Sequence, residues 1–292
     1  KTGGGATGVR RMTRQLLTAI VPTLNEEANI AACLAALSFA DEILVVDSGS
    51  TDRTVEIARE TPRARVLSHA YFGNGPQCNW AMDQASHPWV FIVDADERVP
   101  QALAREILDL LAAGPPADHF FVRRENVFRD RVIRHSGWGS DRLVRFVRRG
   151  AARYPERRVH ADMETAGPTP TLSAPLLHYT FPSIPVYLEK LHRYAAWGAA
   201  DLYRAGRRTG PLRIVLRAAW RFVRTFVVQA GFLDGSAGLL VCALQAYGTF
   251  LKWAKVWEWR RFEKLGWKVE LPPAPGDSSA PAAPPGPATV PL

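Results

Sequence analysis

The stretch W-V-F-I-V-D-A-D-E at residues 89–97 joins an apolar run to two closely spaced carboxylates. A continuous Val, Ile and Phe run suits a buried central strand of a parallel sheet, and ligands of such sheets gather at the carboxyl ends of the strands. Asp94 and Asp96 stand at that end, spaced to hold one metal ion. Because Mg²⁺ is usually held by one or two carboxylates together with substrate phosphates, the stretch predicts chemistry on a phosphate-bearing substrate. Two surface acids in a loop are the alternative.

Strand-like and helix-like segments alternate through the first 170 residues, which predicts an α/β fold with a mainly parallel sheet flanked by helices. Asn25 is expected to cap the first helix, whose first turn carries Glu26 and Glu27. The predicted strands are 17–22, 42–46, 64–68, 89–93, 119–124 and 143–148. The predicted helices are 25–37, 51–60, 77–85 and 100–112.

Three polar clusters each follow a predicted strand at its carboxyl end. They are I-V-P-T-L-N-E-E at 20–27, V-V-D-S-G-S-T-D at 45–52 and I-V-D-A-D-E at 92–97. Since the carboxyl ends of parallel strands meet at one edge of the sheet, one crevice can collect all three clusters.

These clusters occur in the order that is found in the family-2 group of GT-A glycosyltransferases, and the chain resembles that family over residues 17 to about 97. A fourth block, F-G-N-G-P-Q-C-N-W-A-M-D-Q-A at 72–85, makes it most similar to the bacterial lipopolysaccharide-core glucosyltransferase branch. The resemblance implies the GT-A fold, a nucleoside-diphosphate-sugar donor, and Mg²⁺ or Mn²⁺ bridging the diphosphate.

The resemblance also implies roles for residues in each block. Asp47 would accept a hydrogen bond from the imide of uracil, although Asp47 and Asp52 capping a turn and a helix is the alternative. Trp80 would meet the nucleotide or pack in the core, and His160 would donate to phosphate or join Asp94 and Asp96 on the metal. For Arg142 and Arg145, a position on a solvated strand edge is the alternative to contact with the diphosphate. The expected nucleotide-sugar residues are Pro22, Thr23, Asn25, Glu26, Asp47, Ser48, Gly49, Asp52, Gln77, Asn79, Trp80, Asp94, Ala95, Arg142 and Arg145.

An inverting transfer needs a base, because the acceptor hydroxyl loses its proton as it attacks the anomeric carbon. In the resembling branch a block G-W-x-x-D-x-x-x-R-L-F is followed by V-H-E, whose glutamate is a plausible base. This chain has G-W-G-S-D-R-L-V-R-F at 137–146 and then V-H-A-D, with Ala161 in place of the glutamate. Asp162 is our first candidate for the base, and Asp141 and Glu164 are the others.

Composition divides the chain into four parts. Residues 1–14 are Gly-rich and basic, and residues 272–292 are rich in Pro and Ala, so both are expected to be disordered. A catalytic domain is expected at 15–175 and a basic helical region at 176–271. Cys33, Cys78 and Cys242 are odd in number and far apart, which suggests neither disulfides nor a zinc site, and a reducing cytoplasm fits.

The net charge of +9 belongs to the C-terminal third. Residues 176–271 hold 15 Lys and Arg but 6 Asp and Glu, whereas the remainder holds 22 of each. Arg213, Arg217, Arg221 and Arg224 form one stripe of a predicted amphipathic helix, the pattern of a helix at a membrane interface. An ordinary helix with a solvated face is the alternative.

A second segment also favours a membrane surface. Residues 235–251 are uncharged, and three tryptophans with Lys and Arg follow at once. The segment is short for a span, so we expect monotopic or peripheral attachment to an anionic membrane rather than nucleic-acid binding.

Together these patterns predict an inverting glycosyltransferase that moves a hexose, implied to be glucose from its UDP conjugate, to a lipopolysaccharide-core or other glycolipid acceptor. We expect it at the cytoplasmic face of a bacterial inner membrane. A polyprenyl-phosphate sugar synthase is one alternative, and a sugar-nucleotide-binding protein that has lost catalysis is another.

Overall fold

In the computed structural model the protein is described for residues 14–128, 130–139, 141–155, 162–181 and 183–272. The expected disordered ends, residues 1–13 and 273–292, lie outside these ranges, as do His160 and Ala161. Arg14 is held at the start of the fold, where its guanidinium pairs with Asp41 at 2.7 Å.

The first half of the chain forms four parallel strands in the order β3-β2-β1-β4, with a helix in each connection. Their apolar side chains are buried because helices cover the sheet. The strands are β1 (Leu17–Thr23), β2 (Glu42–Asp47), β3 (Ala64–Ser68) and β4 (Trp89–Ile92). The helices are α1 (Ile30–Ala36), α2 (Thr54–Glu60), α3 (Asn74–Gln84) and, after β4, α4 (Gln101–Ala113).

The sheet continues beyond β4 in the order β4-β8-β6-β11-β5. Strand β8 runs antiparallel to β4, while β6 and β11 return to the direction of the first four strands. The sheet is therefore mainly parallel, as predicted. The added strands are β5 (Glu97–Arg98), β6 (His119–Phe128), β7 (Arg131–Ile133, paired with β6), β8 (Arg142–Arg148) and β11 (Leu176–Phe181), and β9 (Ala152–Arg153) pairs with β10 (Glu164–Thr165) outside this sheet.

Aromatic packing joins the parallel half to the second half. Trp89 stacks on Phe146 with ring centroids 4.7 Å apart, and Phe120 lies 5.4 Å from Phe146 and 6.2 Å from Trp89. All three rings are buried. This cluster joins β4, β8 and β6 and includes Trp89, the first residue of β4.

Three long helices follow the sheet. They are α5 (Ile184–Arg204), α6 (Pro211–Val223) and α7 (Gly235–Lys264); a π-helical turn at Arg224–Val228 and a 3-10 turn at Gly231–Asp234 connect the last two. Helix α7 packs against both α5 and α6. Within the described residues, no helix by itself has the length and apolarity of a membrane span, although the bent pair Pro211–Val228 and Gly231–Lys264 has them jointly.

The structure corrects two expectations about element ends. The sheet extends past residue 175, since β11 pairs with β6 and β5, so 176–181 belongs with the catalytic domain. Asn25 does not cap the first helix, because its φ of 55° is left-handed and the helix begins at Ile30. Its Oδ1 accepts a hydrogen bond from the Thr51 N–H instead, at 2.8 Å.

The arginine stripe on α6 is also oriented differently from the expectation. Arg217 lies over the Trp253 ring of α7 at 3.6 Å, and Arg221 donates to Gln245 at 2.7 Å. Arg213 and Arg224 are exposed. The two middle arginines therefore face the protein, and the apolar side of α6 faces outward.

Candidate active site

The ends of β1 and β2 are joined by hydrogen bonds that bring their polar loops together. The Ser48 N–H donates to the Thr23 carbonyl at 2.9 Å, which extends the ladder beyond the strands. The Thr23 hydroxyl is buried and has no partner among the described residues, so it is available to a ligand at this edge. Pro22 lies beside it and is half-buried.

Asp47 and Asp52 shape the loop after β2. The buried Asp47 carboxylate accepts from the Gly49 N–H at 3.0 Å and from the Ser50 N–H at 3.1 Å. Gly49 has a φ of 95°, which a residue with a Cβ rarely adopts. Asp52 accepts from the Thr54 N–H at 3.0 Å at the start of α2. The capping alternative is therefore present, and the contact of Asp47 with uracil stays a prediction.

Helix α3 contributes Gln77 and Trp80 to the same edge. Gln77 is fully buried; its Nε2 donates to Ser48 Oγ at 3.0 Å and its Oε1 lies 2.7 Å from His69 Nδ1. The His69 ring stacks on Trp80 with centroids 4.1 Å apart. Gln77 thus fixes both the loop that follows β2, through Ser48, and the position of His69. The stacked rings of His69 and Trp80 form an aromatic wall beside this loop, which we call the His69–Trp80 wall.

Asn79 forms hydrogen bonds with the backbone of Tyr154. Its Nδ2 donates to the Tyr154 carbonyl at 2.9 Å, and its Oδ1 accepts from the Tyr154 N–H at 3.0 Å. Asn79 therefore anchors the 152–155 segment, and its contact with a nucleotide stays a prediction. The periodicity of α3 does not distinguish this use from ligand binding.

Asp94 follows β4 and pairs with a buried arginine of β8. The Arg145 guanidinium contacts the two Asp94 carboxylate oxygens at 3.2 and 2.5 Å, and it lies 3.5 Å from the fully buried Glu97. Arg145 is therefore not at a solvated strand edge. Burial raises the pKa of Glu97 above its ordinary value, and the charge of Arg145 opposes that rise. Ala95 between the acids is buried.

Asp96 lies close to His178 and Lys190, which come from the C-terminal part of the chain. His178 Nε2 on β11 is 3.4 Å from its carboxylate, and Lys190 Nζ on α5 is 3.9 Å away. Burial disfavours the ionised form of Asp96, but the hydrogen bond with His178 and the charge of Lys190 hold its pKa below the usual value. Burial raises the pKa of Glu26, whose surroundings include Asp96 and Lys190.

The donor set around Asp94 and Asp96 fits a hard divalent cation only together with a substrate. Among the described residues, no group of three or more His, Cys, Asp and Glu is arranged to hold a metal ion. Two ionised carboxylates with room for phosphate oxygens are what Mg²⁺ or Mn²⁺ takes at such sites. Asp94 and Asp96 would hold it, and His160, the third predicted ligand, lies outside the described residues.

A chain of ion pairs leads from Asp94 to Asp141. Arg124 on β6 contacts Glu97 at 3.4 Å and Asp141 at 2.6 Å. The alternating order of charges is Asp94, Arg145, Glu97, Arg124 and Asp141, so the Asp141 carboxylate is engaged by a guanidinium. The neighbouring Arg142 is exposed and lies 4.7 Å above the Phe121 ring.

The other two candidates for the base are exposed. Asp162 directly follows the segment outside the described residues, and Glu164 lies in the short strand β10. The structure does not connect either of them to Asp94 by a contact. Both assignments remain predictions.

Sequence reasoning missed several residues at this edge. His69 comes from the loop after β3, and His178 and Lys190 come from the part assigned to the helical region. The signal for Lys190 was the segment Y-L-x-K-x-x-x-Y-A at 187–195, which the resembling branch shares. The antiparallel pairing of β11 with β5, in which His178 lies opposite Glu97, brings His178 close to Asp96.

The polar residues of the candidate site lie at the carboxyl edge of an α/β sheet, where ligands of such sheets bind. The sequence profile described as Glycosyl transferase family 2 matches residues 18–166. The chain therefore belongs to glycosyl transferase family 2, is a glycosyltransferase and has the GT-A fold of that family.

Two similar proteins cover most of the chain. The lipopolysaccharide core biosynthesis glycosyltransferase LpsC of Rhizobium meliloti strain 1021 is 28% identical over 248 residues, which is 83% of this chain and 92% of LpsC. The uncharacterized glycosyltransferase RT0209 of Rickettsia typhi is 26% identical over 259 residues, which is 83% of this chain and 87% of that protein.

Two solved structures align over less of their length. Glucosyl-3-phosphoglycerate synthase from Mycobacterium tuberculosis, solved with Mn²⁺, UDP and glucosyl-3-phosphoglycerate, is 26% identical with a TM-score of 0.32; the alignment covers 39% of this chain and 44% of that one. TarS of S. aureus is 18% identical with a TM-score of 0.44 over 74% of this chain and 45% of TarS. The family assignment rests on the sequence match.

Proposed function

We propose that this glycosyltransferase transfers a hexose, glucose from UDP-glucose, with inversion to a lipopolysaccharide-core or related glycolipid. The transfer would depend on Mg²⁺ or Mn²⁺. Membership of family 2 supports the reaction class, and the likeness to LpsC, whose name places it in lipopolysaccharide core biosynthesis, supports the acceptor. The glucosyl-3-phosphoglycerate synthase structure contains Mn²⁺ and UDP, which is why that donor and that ion are the first to test.

The observation that carries the proposal is the charge arrangement around Asp94 and Asp96. Two carboxylates at the carboxyl end of β4 are surrounded by Arg145, His178 and Lys190. Carboxylates bind a cation and the cationic side chains attract phosphate oxygens, so the same edge suits a metal diphosphate. When bound, the cation would stabilise negative charge on the departing nucleoside diphosphate.

Different residues would bind the nucleoside, bind the phosphate and accept the proton in the proposed transfer. The His69–Trp80 wall and the Ser48 loop would position the nucleoside, because they lie beside one another on the same side of the sheet. Lys190 would bind a phosphate oxygen from the C-terminal helical side. Asp162 would accept the proton of the acceptor hydroxyl.

The C-terminal helices support a membrane-borne acceptor. Leu212, Leu216 and Trp220 form an exposed apolar stripe on α6, and the exposed cations Arg213 and Arg224 border it. An apolar face with flanking cations is complementary to an anionic membrane surface. We propose that the enzyme attaches peripherally to such a surface, at the cytoplasmic face of a bacterial inner membrane.

A donor and acceptor panel tests the proposal. Purified full-length protein is incubated with UDP- and GDP-sugars, with Mg²⁺, Mn²⁺ or EDTA, and with core-oligosaccharide lipid or polyprenyl phosphate. We expect EDTA-sensitive transfer from UDP-glucose to the core lipid, and Asp94→Asn should abolish it because one of the two cation-binding carboxylates is lost.

The controls separate the competing functions. Arg105→Gln changes an exposed residue of α4 that is not among the predicted site residues, and it should retain activity. Product on polyprenyl phosphate alone would identify a polyprenyl-phosphate sugar synthase. Donor binding without product on either acceptor would identify a protein that has lost catalysis, and full activity of Asp94→Asn would refute the metal assignment.

A further inference from the structure

A second cavity lies where α5, α6 and α7 meet, and arginines dominate its lining. Its volume is about 510 Å³, and it is lined by Leu202, Gly206, Arg207, Arg208, Arg217 and Trp253. We name it the α5–α6 pocket. It lies beyond the carboxyl end of α5, whereas Lys190 near the other end contacts Asp96. At 1.5 Å per helical residue, the 12 positions from Lys190 to Leu202 span about 18 Å, so the pocket is separate from the donor site.

Polar groups in and beside the pocket have unused hydrogen-bonding capacity. Arg217 Nη1 is buried without a hydrogen-bond partner among the described residues, and so is the hydroxyl of Thr209 in the turn that leads into α6. Trp253 holds the Arg217 guanidinium through a contact at 3.6 Å with its ring. A buried donor without a partner costs free energy, so an acceptor bound in this pocket would be favoured.

The positive charge of the pocket is not matched by acids within the described part of the chain. Arg207 and Arg208 are exposed and form no ion pair there. Glu263 is close enough to Arg208 to be influenced by its charge, but its carboxylate is bound by Arg260 at 2.8 Å. The amino end of α6, which begins directly after Thr209 and Gly210, adds partial positive charge.

Lys252, next to Trp253, is a further cation in surroundings that disfavour positive charge. Burial lowers the pKa of Lys252, and the charge of Arg221 lowers it further. Cations that are crowded in a partly buried place disfavour one another, and a bound anion relieves that repulsion.

We propose that the α5–α6 pocket binds a phosphate group, either the headgroup of an anionic lipid or a soluble phosphate compound. Arg207 and Arg208 supply charge, while Arg217 supplies a fixed donor. The lipid source is favoured because Leu212 and Leu216, one and two turns into α6, are exposed beside the pocket and extend an apolar path from it. A lipid bound with its headgroup in the pocket would pair its phosphate with the arginines, and its acyl chains would cover the exposed leucines of α6.

The test measures binding directly and needs no turnover. Full-length protein is titrated by calorimetry with inorganic phosphate and, separately, with dihexanoyl phosphatidic acid below its micellar concentration. The double variant Arg207→Gln/Arg208→Gln should weaken both affinities by about tenfold or more, because each cation near an anionic group contributes about fivefold. Both side chains are exposed, and a thermal melt of the variant confirms that it is folded.

The matched control is Arg213→Gln/Arg224→Gln, which removes two exposed cations from the same helical region outside the pocket. It should change either affinity by less than about twofold at physiological salt, where distant charges are screened. Tighter binding of the lipid than of phosphate, with the difference lost in Leu212→Ser/Leu216→Ser, identifies a lipid; equal binding identifies a soluble compound.

Two results would overturn the proposal. One is that neither probe binds the wild type, and the other is that the pocket variant and the control variant lose affinity equally. Because the titrations contain no sugar donor or acceptor, failure of the proposed transferase activity would leave their outcome unchanged.

Discussion

At the scale of residues, the donor site is an alternating chain of ion pairs. Arg145 joins Asp94 to Glu97, and Arg124 joins Glu97 to Asp141. Because Arg145 and Glu97 are buried, each charge depends on its partner for solvation. The ion pair with Arg145 therefore holds the Asp94 carboxylate in place.

Removing Arg145 should destabilise the fold. Arg145→Gln leaves Glu97 buried with one guanidinium fewer, and we expect the free energy of unfolding to fall by about 3 kcal/mol. Urea denaturation followed by tryptophan fluorescence measures it. Arg142→Gln, on the same strand but exposed over Phe121, should cost less than about 1 kcal/mol. Equal losses in the two variants would show that the buried ion pairs contribute nothing particular.

The choice of base can be decided by comparing two carboxylates. Asp162 is exposed, whereas Asp141 is bound by Arg124 at 2.6 Å. Asp162→Asn should lower kcat by about a hundredfold or more, the usual contribution of a general base, and should leave the donor Kd unchanged. Asp141→Asn should lower the free energy of unfolding, because Arg124 loses this partner, and should leave kcat nearly unchanged. The reverse pattern would assign the base to Asp141, and Glu164→Gln extends the comparison to the third candidate.

The sequence predicts where the acidic residues lie in the fold, but it does not predict which residues contact them. Asp94, Asp96 and Asp47 could be placed at strand ends because an apolar run followed by acids defines such an end. The partners of Asp94 and Asp96 come from β8, β11 and α5, and no local pattern shows which distant residue packs against a given carboxylate. For the same reason the sequence does not reveal that Asn79 binds the backbone of Tyr154.

At the scale of elements, the turn between α6 and α7 clamps the loop that precedes β8. Asp234 accepts from the His135 N–H at 2.9 Å, Gln229 accepts through its carbonyl from the Ser136 N–H at 3.2 Å, and Gln245 donates to the Ser136 carbonyl at 3.1 Å. This loop begins the G-W-G-S-D segment that carries Asp141. The C-terminal helices therefore position part of the active-site edge.

Two glycines allow the turn to pack this closely. A Cβ on Gly238 would lie 2.0 Å from the Gly231 carbonyl oxygen, a backbone atom that cannot move alone. Gly238→Ala should lower the free energy of unfolding by about 2 kcal/mol, as overpacking does, and should reduce activity through the loop. Chemical denaturation and turnover measure the two effects.

The control for this prediction is on the same helix. Ala243→Ser changes an exposed position of α7 and should cost less than about 0.5 kcal/mol, the difference in helix propensity. If Gly238→Ala were as stable as Ala243→Ser, the turn could move away from α7 without a loss in the free energy of unfolding, and the prediction would be wrong.

Element types were predictable from periodicity, while element ends and sheet partners were not. The alternation of apolar runs and helical segments predicts every strand from β1 to β4. The ends depend on tertiary contacts: α1 begins at Ile30 because Asn25 bonds to Thr51 across the site. Strand β11 was assigned to the helical region because a six-residue apolar segment gives no sign of its distant partner β6.

At the scale of the whole molecule, the excess positive charge and the exposed apolar surface lie in the same helical part. Its apolar face is defined by Leu212, Val215, Leu216, Trp220, Val223, Val227, Val228, Phe232 and Leu233. Leu212 is 72% exposed and Trp220 61%. A surface of this kind on a folded protein marks a site of association. The sequence predicted the amphipathic helix, but the inward turn of Arg217 and Arg221 follows from packing on α7.

Membrane attachment should therefore depend more on the apolar face than on the arginine stripe. Leu212→Ser/Leu216→Ser should lower partitioning onto vesicles containing anionic lipid by about tenfold or more, because two side chains lose their burial in the interface. Co-sedimentation measures it. Leu16→Ser, which changes an exposed leucine at the opposite end of the fold, should have no effect.

The electrostatic contribution can be separated in the same assay. Arg213→Gln/Arg224→Gln should reduce the dependence of partitioning on salt, because exposed cations near an anionic surface are screened by ions. Arg221→Gln should leave that salt dependence unchanged, since Arg221 is directed at Gln245. Equal partitioning of the leucine variant and the wild type would refute attachment through α6. Association that withstands salt and requires detergent would instead indicate insertion of the bent α6–α7 pair.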